Sequence, residues 1–139
     1  MDDLNLWPEF SEDPSQSAKE ILDKQADLLP GRTNNLLYAE ITELNMNLEF
    51  HYDKYDLGYK FLIRSKLLEK YSYEMFSFYH NITLYPLQIK LDIDIRRELS
   101  IEGAIYMQNE NEFKEFLRKV FATEKVNSVI GSLMKLSKQ

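Results

Sequence analysis

The residues with the clearest chemical potential are one histidine and two carboxylates that alternate along a short stretch of the chain. Glu49, His51 and Asp53 are each separated by one residue, and alternate residues of a β-strand project from the same face. An imidazole and two carboxylates on one face can bind a divalent metal ion. The same pattern is typical of a solvated strand face, which is the interpretation we favour. These three residues are therefore weak metal candidates, and we expect no cofactor.

A second pair of acids, Asp92 and Asp94, alternates in the same way along the stretch 82–95. If this stretch is a strand, both carboxylates project from one face and could serve as metal ligands or as an acid–base pair. Alternating acids opposite an apolar face are more commonly plain surface. The pair supports an enzyme only as the least favoured hypothesis.

Known catalytic motifs are missing from the sequence. The chain has 139 residues with two histidines, four glycines and no cysteine. It contains no G-x-S-x-G, no H-E-x-x-H and no phosphate-binding loop. The lack of cysteine excludes disulfides and thiolate zinc sites. We therefore expect a protein that is more readily explained without catalysis than with it.

The formal net charge of −6 is unevenly distributed. Residues 1–13 contain five acids and no base, whereas the stretch from Lys114 to the end contains six bases and two acids. All residues after the arm, including this basic end, carry 17 bases and 18 acids and are close to neutral together, so a clustered basic face for nucleic acid is not expected. No apolar run is long enough for a membrane helix and no basic secretory leader is visible, so we expect a soluble, cytoplasmic protein without a membrane partner.

Residues 1–13 are predicted to form an acidic arm that precedes the folded domain. Four large apolar residues, Leu4, Leu6, Trp7 and Phe10, lie among its acids. One interpretation, which we favour, is that the arm folds back over the core of its own domain. Another is that Trp7 and Phe10 dock into a partner or a second copy, because tryptophan is a frequent hot-spot residue at interfaces. A disordered arm is the third.

The rest of the chain, residues 14–139, reads as one domain with helices at both ends. A helix is predicted over 14–29 by the apolar stripe of Ala18, Ile21, Leu22, Leu28 and Leu29. Asp13 or Ser15 can cap it, Ser17 with Glu20 also fits a capping box, and Pro30-Gly31 should end it. At the other end, Phe113 begins a helical stripe that Asn109 or Asn111 can cap. Thr123 is expected to cap a second helix.

Alternating apolar residues predict strands between these helices. Asn45 to Asn47 is a plausible hairpin turn, and residues 96–100 read as either a helical turn or a strand end. The predicted strands are 35–45, 47–53, 59–68, 71–80, 82–95 and a short one near 104–107.

Two long strands, 71–80 and 82–95, form the predicted centre of the sheet. In the second, Leu87, Ile89, Leu91, Ile93 and Ile95 alternate with polar residues, which predicts one buried and one solvated face. In the first, Tyr71, Tyr73 and Met75 are expected on one face, with Glu74, Phe76 and Phe78 on the other.

Aromatic residues are concentrated in the same region. Tyrosine is well suited to half-exposed contact surfaces. A sheet face that carries Tyr71, Tyr73 and Tyr59 is therefore a candidate for binding a protein or lining a pocket. The simpler alternative is that these side chains belong to the core and to cross-strand pairs.

Together these patterns predict an α+β fold: an N-terminal helix, a mostly antiparallel meander of about five to six strands, and two C-terminal helices. The function that we expect is a non-catalytic protein-interaction domain, of the kind found in small bacterial or phage adaptors, inhibitors and immunity-like proteins. It would bind a protein partner or a second copy through the tyrosine-rich face, the arm, or both. The alternatives are a domain that binds a small ligand and, less favoured, a metal- or carboxylate-dependent enzyme.

Overall fold

The computed structural model describes residues 4–48 and 54–139, which contain four α-helices and five β-strands. The helices are α1 (Ala18–Arg32), α2 (Ile93–Glu98), α3 (Glu110–Phe121) and α4 (Glu124–Ser137). The strands are β1 (Leu37–Glu43), β2 (Leu57–Ser65), β3 (Ser72–His80), β4 (Leu87–Leu91) and β5 (Ile105–Met107).

The five strands form one sheet in the order β1-β2-β3-β4-β5, and every neighbouring pair is antiparallel. Consecutive strands are therefore neighbours throughout, which is the arrangement of a meander. The predicted α+β fold, with one N-terminal helix, an antiparallel meander and two C-terminal helices, is confirmed. In place of the predicted hairpin turn, Met46–Leu48 form a 3₁₀ turn, and residues 49–53 of the predicted second strand lie outside the described residues.

A β-bulge in β3 determines which side chains face the helices. Phe61 pairs with Phe76, but the next residue of β2, Leu62, pairs with Glu74. Met75 is thus an extra residue without a partner on β2, and the alternation of β3 shifts by one position there. Consequently Tyr73, which lies opposite Ile63, shares a face with Phe76. The prediction that Tyr73 and Phe76 occupy opposite faces is wrong, because a bulge leaves little trace in the sequence.

The core lies on the side of the sheet that carries the helices. Its centre is a set of aromatic rings: Phe61 and Phe76 stack with centroids 5.3 Å apart, and Phe78 lies 6.3 Å from Phe113 of α3. Leu22 of α1 is fully buried against this layer. Burying side chains of this size contributes about 1.5–3 kcal/mol each relative to exposure.

Helix α1 begins at Ala18 instead of residue 14, directly after the predicted capping box, and it ends later than predicted. The Ser17 side chain accepts a hydrogen bond from the Glu20 amide, and Glu20 in turn accepts one from the Ser17 amide, which completes the capping box. The helix continues through Pro30 to Arg32 instead of ending before the proline. Thr33, whose hydroxyl bonds the Leu29 carbonyl, then closes it.

The predicted strand 82–95 is divided between a shorter strand and a helix. Strand β4 ends at Leu91, and the Asp92 carboxylate then accepts hydrogen bonds from the amides of Asp94 and Ile95. This N-cap starts α2, because an aspartate that satisfies free amides favours a helix over continued pairing. Ile93 is consequently 61% exposed instead of buried. Ile95 remains buried, but as a residue of α2.

The C-terminal helices follow the sequence prediction closely. The Asn109 side chain caps α3 and the Thr123 side chain caps α4. At the far end of α4, the buried hydroxyl of Ser137 lies 2.6 Å from that of Ser65 on β2. This bond fixes the end of α4 to the sheet. Within the described ranges, no helix is both long and apolar enough to cross a membrane.

The outer face of the sheet, opposite the helices, is covered locally by the connection between β1 and β2. Gly58 lies opposite Tyr79 across the β2–β3 ladder. A Cβ atom at position 58 would lie 2.5 Å from the Met46 sulfur and 2.9 Å from Cδ1 of Tyr79. Both distances are shorter than van der Waals contact, so only glycine lets this connection pack on the strand.

We predict that Gly58→Ala destabilises the protein by about 1–3 kcal/mol, the usual cost of overpacking. Gly131→Ala is the matched control, because a Cβ there meets nothing within 4 Å. That position lies inside α4, where alanine is favoured over glycine by about 0.5–1 kcal/mol. Urea denaturation of both variants measures the two effects. Equal changes in the two variants would contradict this account of Gly58.

Candidate functional site

The arm is attached to the domain by a short, hydrogen-bonded root. The Gln16 amide donates to Oε2 of Glu110 at 3.1 Å, and the Gln16 carbonyl accepts from the Tyr85 hydroxyl at 2.7 Å. Immediately before it, the Ser15 amide donates to Oδ1 of Asp13 at 2.8 Å. These bonds fix the position at which the arm leaves the domain.

Beyond this root, the apolar residues of the arm do not contact the core. Leu4, Leu6, Trp7 and Phe10 are between 73% and 82% exposed. The Trp7 and Phe10 rings lie near each other, with centroids 6.0 Å apart. The expectation that the arm folds back over its own core is therefore wrong for this structure. Four large apolar side chains in one exposed segment are characteristic of an interaction site.

A groove runs beside α1 because that helix packs mainly on β1 and only lightly on α3. Its first part is an apolar cleft of about 260 Å³. The floor of this cleft is the sheet, and its two walls are α1 and the end of α3 with α4. The lining residues are Gln25, Leu28, Leu29, Arg32, Ala39, Phe61, Ile63, Met75, Phe121, Val126 and Ile130.

The groove continues as a second cleft, of about 500 Å³, between α1 and α3. Gln25 and Phe121 line both clefts, which makes them parts of one feature. The second cleft reaches the arm root, since Gln16 is among its lining residues. Its other lining residues are Ile21, Lys24, Lys114, Leu117, Arg118 and Ala122.

The charged residues that line the groove are all basic: Lys24, Arg32, Lys114 and Arg118. Lys114 lies 3.9 Å from Glu110, and Arg118 pairs with Glu115, so two of the four charges are partly offset on α3. Both of these pairs are exposed to solvent and hold their side chains weakly. The groove thus has basic side chains at its rim and an apolar floor.

Leu28 shows why the groove could not be read from the sequence. The helical stripe of α1 includes Leu28 and predicts that it is buried, but its side chain is 56% exposed at the mouth of the groove. Ile21 and Leu22 on the same stripe are buried as expected. The only sequence signal for the groove was the number of leucines on one side of α1. Such a surplus is found on helix faces that pack in a core and on helix faces that line a groove, so it does not distinguish them.

The three tyrosines predicted to share an exposed sheet face occupy different environments. Tyr73 donates a hydrogen bond to Oδ2 of Asp92 at 2.8 Å, and both burial and this bond raise its pKa. Tyr59 stacks on Phe78 with centroids 5.1 Å apart, and burial raises the pKa of its phenol. Tyr71 lies just before β3 and is 64% exposed. Tyr59 and Tyr73 thus pack on the helix side of the sheet, apart from Tyr71.

The two acids considered for catalysis both have structural partners. Asp92 caps α2 and accepts from Tyr73, as described above. The Lys125 ammonium donates to the Asp94 carboxylate, and this bond lowers the Asp94 pKa and raises that of Lys125. Lys125 also lies 3.7 Å from Asp92, so one cation from α4 contacts both acids. These contacts join α2 to α4. They give both acids a structural role that requires no catalytic function.

The weak metal candidates Glu49, His51 and Asp53 lie outside the described residues. Within residues 4–48 and 54–139, no three acids, histidines or cysteines are placed to hold a metal ion. The other histidine, His80, ends β3 with its Nδ1 2.6 Å from the Asn81 carbonyl oxygen.

Comparison of the chain with protein-family models, with curated proteins and with solved structures found no match. The site is therefore defined by its own geometry: an α+β domain with an exposed acidic, apolar arm and a basic-rimmed groove that begins at the arm root.

We predict that Asp92→Ala lowers the free energy of unfolding by about 1–3 kcal/mol, because it removes both a helix cap and the acceptor of the half-buried Tyr73 hydroxyl. Tyr73→Phe, which removes only the hydroxyl, is expected to cost about 1 kcal/mol. Asp94→Ala is the exposed neighbouring control and should cost less than Asp92→Ala. Denaturant unfolding of the three variants tests this order, and a larger loss for Asp94→Ala would contradict the assignment.

We predict a tyrosine that ionises far above the ordinary range at the arm root. Burial, followed by the nearby carboxylates of Glu110 and Glu20, raises the pKa of Tyr85 to about 12. Because the folded pKa exceeds the unfolded value of about 10, this stabilisation is complete below pH 10 and is lost as pH rises through 12. The pKa of Tyr73 and that of Tyr59 are raised as well, so ultraviolet titration should show more than one late transition. Tyr85→Phe should remove the late transition that belongs to Tyr85. Tyr71→Phe, which removes an exposed phenol, is the control and should retain the late transition of Tyr85.

Proposed function

We propose that the protein is a non-catalytic protein-interaction domain that binds through its N-terminal arm. The observation that carries this proposal is the exposure of Leu4, Leu6, Trp7 and Phe10, which are at least 73% accessible to solvent. Exposed aromatic side chains lose little conformational entropy on binding and bury a large area, so they make effective anchors.

The chemistry of the remaining surface favours the arm over the sheet as the binding element. Of the three tyrosines in the predicted sheet site, Tyr59 and Tyr73 are held against the helix side, and Tyr71 alone is largely exposed. The arm instead presents Trp7 and Phe10 side by side, with five acids in the same segment. Acidic residues around aromatic anchors keep such a segment in water and add charge recognition to a hydrophobic contact.

The small-ligand alternative has one observation in its favour, the groove with its clefts of about 260 and 500 Å³. Pockets for drug-sized ligands are usually about 300–1,000 Å³ and enclose most of the ligand. The second cleft has such a volume, but the groove is open along its side between the helices and does not enclose a ligand. Such a shape is better suited to an extended peptide than to a small molecule, so we retain the interaction domain.

We predict that a photo-reactive phenylalanine analogue at position 10 crosslinks to protein in the cells that produce the chain. The same analogue at Tyr106, which is exposed on β5, is the matched control and should give no discrete adduct. A second substitution, Trp7→Ser, should abolish the adduct at position 10, because it removes the neighbouring anchor. Mass spectrometry of the adducts measures the result.

Position 71 separates the arm from the sheet as the binding element. An adduct at Tyr71 with none at position 10 would assign binding to the sheet region and overturn the role of the arm. The absence of adducts at both positions would overturn the interaction proposal altogether.

A further inference from the structure

Two features of the chain are complementary and lie next to each other. The arm combines exposed apolar side chains with a charge of −5 over residues 1–13, from five acids and no base. The groove combines an apolar floor of Ala39, Phe61, Ile63 and Met75 with a rim of four basic residues, and its lining includes no acid. The apolar side chains of the arm can pack on the apolar floor of the groove, and the acids of the arm are opposite in charge to the basic rim.

The dimensions of the two features also agree. Helix α1, which forms one wall, has 15 residues and is therefore about 22 Å long at 1.5 Å per residue. The described part of the arm, residues 4–13, spans about 33 Å when extended. One arm is thus long enough to follow the whole groove with Trp7 and Phe10 above its floor.

The groove is not filled by the arm of the same chain. Gln16 belongs both to the arm root and to the groove lining, so the arm leaves the domain at one end of the groove. All four of its apolar side chains nevertheless remain at least 73% exposed. The groove wall at Leu28 is also open, at 56% exposure.

We propose that the groove is the receptor for the arm of a second copy, so that two chains exchange arms across a two-fold axis. This inference rests on the proposed function and names the partner. Trp7 and Phe10 fill the apolar cleft over Phe61 and Met75. The acids of the arm lie beside Lys24, Arg32, Lys114 and Arg118. The contact is reciprocal, as symmetric dimers require, because each chain supplies one arm and one groove.

The single tryptophan of the chain provides a direct probe, since Trp7 is itself the proposed anchor. The purified full-length chain is diluted over several decades of concentration, and two quantities are followed. Sedimentation gives the mass, and the emission wavelength of Trp7 gives its burial. We expect the dimer to form and the emission to shift to shorter wavelength with the same midpoint concentration.

Leu28→Glu places an acid at the mouth of the groove, where it repels the acidic arm. Because Leu28 is exposed, the fold should survive, and its urea unfolding is checked in parallel. We expect this variant to raise the dimer dissociation constant at least tenfold. Leu136→Glu is the matched control, because Leu136 is also an exposed leucine, on α4 and outside the groove lining, at 48% exposure. That variant should dimerise as the unaltered chain does.

Three results would overturn the inference. The first is a monomer in which Trp7 emission is short-wavelength at every concentration, which would show the arm in its own groove. The second is a dimer in which Trp7 emission does not shift, or which forms equally well with Leu28→Glu. The third is a chain that stays monomeric with solvent-like emission. If the arm still crosslinks to a different protein in cells, that third result removes the self-exchange and leaves the proposed function intact.

Discussion

The β-bulge at Met75 is the constraint on which the arrangement of the whole molecule depends. In an uninterrupted strand, Tyr73 and Met75 would project away from Phe76 and Phe78, since successive side chains alternate. The extra residue instead brings Tyr73 onto the face that Phe76 and Phe78 occupy. Tyr73, Phe76 and Phe78 are thereby collected on one side, so a single layer of helices can cover them. Tyr79 is buried on the outer face, which the connection between β1 and β2 covers locally.

That single layer is unevenly distributed over the sheet. Helix α1 packs on the edge strand β1, α4 contacts β1 and β2, and α3 approaches β5. Helix α1 contacts α3 only lightly, and the groove is the space left between α1 and the other helices. Protein interiors are otherwise close-packed, so an apolar cleft over Phe61 and Met75 departs from the packing of the rest of the core. The position of the groove thus follows from where each helix is held.

Sequence patterns predicted the parts of the fold that depend on local chemistry. The caps at Ser17, Asn109 and Thr123 were readable because a side-chain oxygen at a helix start satisfies free amides a few residues later. The stripe that starts at Phe113 identified α3 because its period is helical.

Features that depend on contacts between elements were not readable. The bulge at Met75 arises from the register in which β3 pairs with β2, and the residues of β3 alone do not specify that register. The end of β4 depends on whether Asp92 continues a ladder or caps a helix, and its neighbours alternate as a strand would. The candidate site likewise has one part that the sequence reveals and one part that it does not. Trp7 and Phe10 were identifiable by type, but the groove is formed by α1, α3 and α4 together and has no signature in any one of them.

The composition of the arm is informative about the kind of contact it can make. Ordering an extended segment costs about 1–2 kcal/mol per residue in backbone entropy, so ten residues held by two aromatic anchors bind weakly on their own. Charge complementarity with Lys24 and Arg32 accelerates the encounter and fixes the direction of the arm more than it adds affinity. In the proposed exchange between two copies this balance would change, because the second arm would bind within an existing complex at a high effective concentration. Two such contacts made together would then hold where one alone is too weak.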